Sequence, residues 1–186
     1  SAEVFINGKS QGKRTKDLTK TVHNTGSKES QEAFERQQRY RLMWMDTKYE
    51  PGTVKVVAYD ENGKAVAEKE IRTAGKPHRI ELSADRSELS ANGKDLSFIN
   101  VRVVDKDGNL IPDATNQIEF KVKGAGSYRA AANGNSVSLE LFHHPRMKLF
   151  SGQLTAIVQS GDKAGEITFE ATTKGLKGAK LKIVTK

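Results

Sequence analysis

The chain has 186 residues, a net charge of +8, no cysteine, one tryptophan and four tyrosines. That length allows one large β domain or two sandwiches of roughly 75–110 residues each. The missing thiols exclude a disulfide framework, a thiolate nucleophile and a thiolate metal site, and no apolar run approaches the roughly 18–20 residues that span a bilayer.

In chain order, Glu3-Val4-Phe5-Ile6 opens the sequence inside a strand, with no basic-then-apolar leader before it, so the chain reads as a piece of something longer. Period-2 alternation places strands near residues 3–6, 9–13, 39–46, 53–59 and 65–72. Asn7-Gly8 is a hairpin signal between the first two. The polar stretch 16–38 is too long for an ordinary connection and predicts a surface insertion carrying a short helix within Lys28–Gln38. In 39–46, Trp44 alternates with Leu42 against Met43 and Met45, which predicts a core position for Trp44. Pro51-Gly52 closes a tight turn, and Asn62-Gly63 supplies a type I′ signal. Five strands are few for a sandwich. One or two are expected to be missing upstream, leaving an incompletely covered edge open to strand-pairing self-association.

Thr73-Ala74-Gly75-Lys76-Pro77 breaks the pattern and sets a boundary between units 1–76 and 77–186. Beyond it, alternation is clean: Ile80 and Leu82; Ile118, Phe120 and Val122; Ile167, Phe169 and Ala171; Leu181 and Ile183. Val101–Asn109 repeats the strand–Asp-x-x-Gly–strand grammar of Val54–Lys64. The fold class is therefore all-β, two tandem immunoglobulin-like sandwiches, the first short of a leading strand.

A search for chemistry finds no catalytic residue. Glu119, Glu166 and Glu170 lie on polar strand faces, where solubilising charges belong. No serine sits in a nucleophile elbow. His143-His144 would face opposite ways on a strand and lack a third ligand in a loop, and Asp105, Asp107, Asn109 and Asp113 lack the bidentate glutamate of a calcium loop. No metal or cofactor is expected. The densest basic cluster, Lys9, Lys13, Arg14 and Lys16, has no interleaved aromatic and reads as a solvated face, not a nucleic-acid groove. Tyr128, amid glycine-rich segments and flanked by Asn133 and Asn135, is the better candidate for an exposed aromatic platform. With Tyr49 it makes up the candidate carbohydrate-binding set, against the plainer reading of turn-forming asparagines.

Glu3–Ser10, Arg41–Trp44 and Tyr49–Asp60 resemble the β-sandwich that follows the catalytic barrel in bacterial family 2 glycoside hydrolases, in particular the β-galactosidases of gut Bacteroides-type bacteria. Ile71–Gly75, Leu82–Arg86, Asp95–Ile99, Val103–Gly108 and Leu154–Ser160 resemble the sandwich after that, which is also similar to invasin-type bacterial immunoglobulin-like repeats. The resemblance implies a non-catalytic C-terminal region of a periplasmic or extracellular enzyme acting on β-linked sugars. Its catalytic glutamates would lie on a barrel outside this chain, and the barrel and other domains of the parent would be its partners. A carbohydrate-binding module and a spacer of a surface adhesin are the alternatives.

Overall fold

A computed structural model describes residues 1–16, 27–32 and 40–186. The chain divides into two compact units, Ser1–Thr73 and Ala74–Lys186.

In the first unit, β1 (Ala2–Ile6), β2 (Lys9–Arg14), β3 (Thr53–Tyr59) and β4 (Ala65–Arg72) form an antiparallel sheet in the order β2-β1-β3-β4. Ala2, Val4 and Ile6 bury one face of β1, as alternation requires. Asn7 and Gly8 both take positive φ, the signature of a type I′ hairpin. Asn7 also holds the next turn: its Oδ1 accepts from Thr53 N–H at 2.8 Å and its Nδ2 donates to the Pro51 carbonyl at 3.1 Å. The insertion lies mostly outside the described residues, of which 28–32 are helical.

Two expectations are corrected here. Residues 41–44 join no sheet, so the strand over 39–46 is absent from its described part. Trp44 is half-buried, not a core side chain. Its indole N–H donates to the Gly12 carbonyl of edge strand β2 at 2.8 Å, and the Arg14 guanidinium lies 5.6 Å over its ring. Trp44 thus leans on a sheet edge, one of the ways an edge is blunted. Nor is Asn62-Gly63 a type I′ turn, since Gly63 alone has positive φ. Asp60 builds it instead: Oδ1 accepts from Asn62 and Lys64 N–H, both at 2.9 Å.

The second unit is a two-layer sandwich. One sheet runs β10 (Arg146–Lys148), β8 (Gln117–Gly124), β12 (Gly165–Thr172), β13 (Ala179–Thr185) and β6 (Glu88–Leu89), with β6 parallel to β13. The other runs β5 (Arg79–Ala84), β7 (Leu96–Val104), β11 (Gln153–Ser160) and β9 (Gly126–Ala132). Ile99, Val101, Ile118, Phe169 and Ile183 meet between them with no exposure. Each such side chain contributes roughly 1.5–3 kcal/mol of burial free energy.

Asp105 anchors the turn after β7 on the plan of Asp60. Oδ1 accepts from Asp107 N–H at 2.9 Å and Asn109 N–H at 2.8 Å; Oδ2 accepts from Gly75 N–H at 2.8 Å and Asn109 Nδ2 at 2.9 Å. Led by the Gly75 bond, these donors hold the carboxyl well below the ordinary carboxylate range, against the opposing effect of burial.

Candidate functional site

The four residues expected to recognise sugar are engaged in the fold in different ways. Tyr49, in the first unit, is exposed, with its hydroxyl 3.2 Å from Thr73 Oγ1. Tyr128 is half-buried on β9, opposite Val158. Ala130 lies opposite Ile157 but Tyr128 opposite Val158, so Arg129 is the extra residue of a bulge in β9 that turns Tyr128 to the core, where its ring stacks on Phe120 at 5.7 Å and 15°. Its hydroxyl donates to the carbonyls of His144 at 2.7 Å and Phe142 at 3.1 Å, and burial pushes the phenol up to about 12. The exposed platform expected at Tyr128 is therefore corrected to a core-facing ring. Asn133 Nδ2 donates to the Lys148 carbonyl at 2.9 Å, and its Oδ1 accepts from Asn135 N–H at 3.0 Å. Asn135 Oδ1 accepts in turn from Val137 N–H at 3.2 Å, so both asparagines shape the loop backbone.

Two of the candidate carboxylates are paired locally. Glu166 meets Lys182 at 3.0 Å and Glu170 meets Lys180 at 3.3 Å, exposed pairs of the kind that add little stability. The rings of His143 and His144 meet edge to face, 4.6 Å apart. Among the described residues, no three His, Asp or Glu side chains gather as metal ligands. The basic cluster acquires aromatic neighbours that its sequence lacks: Lys13 Nζ sits 4.2 Å over the Tyr59 ring, beside a shallow cleft of about 480 Å³ lined by Ser1, Lys16 and Asp60.

One apolar surface of the second unit carries no sequence motif. It is the loop joining β9 to β10, where Val137, Leu139, Leu141 and Phe142 are 81%, 96%, 53% and 62% exposed. Val-Ser-Leu-Glu-Leu alternates with period 2, a pattern that on a half-buried strand would set the aliphatics inward. The structure inverts it: Glu140 turns in, both carboxylate oxygens accepting from Lys148 N–H at 3.1 and 3.3 Å, and Ser138 Oγ accepts from Glu140 N–H at 3.3 Å. Further bonds from Ala131 N–H to the Phe142 carbonyl and from Phe120 N–H to the Pro145 carbonyl, both 2.8 Å, tie the loop to the sandwich.

Residues 80–182 match the model of the glycoside hydrolase family 2 C-terminal domain 5, and residues 1–67 match a domain of unknown function (DUF4982). Over 97% of its length the chain is 46% identical to a β-galactosidase of Bacteroides ovatus. The chain belongs to glycoside hydrolase family 2. Among solved structures, a family 2 member from Bacteroides cellulosilyticus covers the whole chain at 30% identity with a TM-score of 0.83. A β-glycosidase from Bacteroides vulgatus covers 98% at 25% identity and 0.81. The family 2 chain spans only 19% of the B. ovatus relative and 21% of each of these two structures. It resembles the C-terminal region of family 2 β-galactosidases, and other domains of a larger parent are implied.

Proposed function

We propose that this chain is a non-catalytic accessory region of a β-galactosidase-type family 2 enzyme, bracing a catalytic barrel that lies elsewhere in the polypeptide. The observation that carries this reading is 46% identity along almost the entire chain to one fifth of a β-galactosidase. The side chains agree with it. Glu166 and Glu170 are tied to lysines on an outer sheet face, and the Asp105 carboxylate is spent on N–H groups of its own turn. Glycoside hydrolysis needs two carboxylates facing each other across a cleft. A sandwich with this core offers instead a rigid body for another domain to pack against.

The test is hydrolysis of an aryl β-galactoside by the purified chain beside the full-length parent. No turnover is expected from the chain at concentrations where the parent is active. Turnover that co-purifies with the chain and survives repurification would overturn the reading.

A further inference from the structure

We propose that the β9–β10 loop is the docking surface of the second unit, and that Val137, Leu139, Leu141 and Phe142 seat in an apolar recess on another domain of the same family 2 polypeptide. The inference rests on the accessory-region reading and names the surface through which it acts.

Three observations converge. First, four large apolar side chains in six residues face solvent, Leu139 at 96% exposure. Single exposed aliphatics are ordinary, whereas four within one short loop concentrate apolar surface as interaction sites do. Second, the loop is held in place. The Tyr128 hydroxyl binds the Phe142 and His144 carbonyls, Glu140 binds Lys148 N–H, and Asn133 and Asn135 brace the entry. The apolar groups therefore stand on a preorganised backbone, which lowers the ordering cost of binding. Third, the loop carries no cationic lysine or arginine over residues 135–145 to meet anionic lipid, and two of its polar side chains, Ser138 and Glu140, are already used on backbone N–H groups. What remains fits an apolar protein surface. The relatives devote about four fifths of their length to other domains, and a tethered partner is present at high effective concentration.

The test is hydroxyl-radical footprinting of the full-length parent, comparing phenylalanines with each other. Within this chain Phe142 is 62% exposed, against 43% for Phe98 and 44% for Phe150. The docking model expects Phe142 to be labelled several-fold less than either, at every enzyme concentration. In the Leu139→Asp variant, Phe142 labelling should rise above that of Phe150 while Phe98 stays constant, showing that the sandwich is intact. Labelling of wild-type Phe142 at or above the level of Phe98 overturns the proposal. Protection that fades on dilution also overturns it, because the occupant is then a second copy. Truncation separates the two readings: a barrel unaffected by loss of this chain defeats bracing, whereas a weakened barrel with a freely labelled Phe142 defeats only this surface.

Discussion

Replacing Tyr128 with phenylalanine removes one oxygen and keeps the ring on Phe120, so it isolates the hydroxyl that pins the β9–β10 loop. The 2.7 Å bond to His144 is the stronger of its two contacts, and a net intramolecular hydrogen bond is worth roughly 0.5–1.5 kcal/mol. The loop carbonyls lie near solvent and regain water in part, so the expected loss is about 1 kcal/mol, short of the full cost of a buried orphan. For a unit of this size that is a fall of roughly 3–6 °C in melting temperature. Tyr128→Ala also forfeits the stacked ring, and half-burial of that ring sets its cost at roughly 2–4 kcal/mol. Calorimetry gives the stability, and hydrogen exchange gives the mechanism. The Ala131 and Phe120 amides, bonded to the Phe142 and Pro145 carbonyls, should exchange faster in Tyr128→Phe, while those of β12 stay unchanged. A phenylalanine variant that melts and exchanges like wild type would refute the pinning argument. Glycan binding kept by Tyr128→Phe but lost in Tyr128→Ala would restore the ring as a sugar platform.

Further outcomes follow from single residues. Asp105 is held below its ordinary 3.8 in the folded state, chiefly by Gly75 N–H, so its stabilisation is complete at neutral pH and is lost as pH falls below about 4. Thermal melts between pH 3 and 7 should show that acid limb flattened in Asp105→Asn, with lower stability at pH 7; an unchanged limb would assign it to other carboxylates. Gly124 has φ +92°, and an added Cβ would lie 2.0 Å from the Glu166 carbonyl oxygen, whereas Gly134 has φ +74° and open space around it. Gly134→Ala should cost about 1 kcal/mol from backbone strain alone, and Gly124→Ala roughly 3 kcal/mol or more. Equal melting shifts for the two would contradict the clash.

The second unit was legible because its alternation follows simple burial: Ile167, Phe169 and Ala171 face inward with no exposure, and their polar neighbours face out. The shared Asp-x-x-Gly grammar had a physical basis too, a carboxylate that accepts from the two turn amides at Asp60 and again at Asp105. Alternation failed where one pattern serves two purposes. Around Trp44 no ladder forms among the described residues, and the indole is bonded to the edge of β2. In 137–141, which no expected strand covered, the aliphatics face out and Ser138 and Glu140 turn in, because period 2 does not specify which face meets the core. Tyr128 was misread because glycines nearby suggested a mobile loop, whereas a one-residue bulge in β9 turns it inward. The family, by contrast, was legible from local motifs, which the comparisons bear out.

The most direct test of the bracing role is differential scanning calorimetry of the full-length parent beside the same enzyme lacking this chain. The account predicts that the barrel of the shortened enzyme unfolds at a lower temperature and loses β-galactosidase activity on warming before the intact enzyme does. A barrel transition and an inactivation profile identical in the two proteins would contradict it.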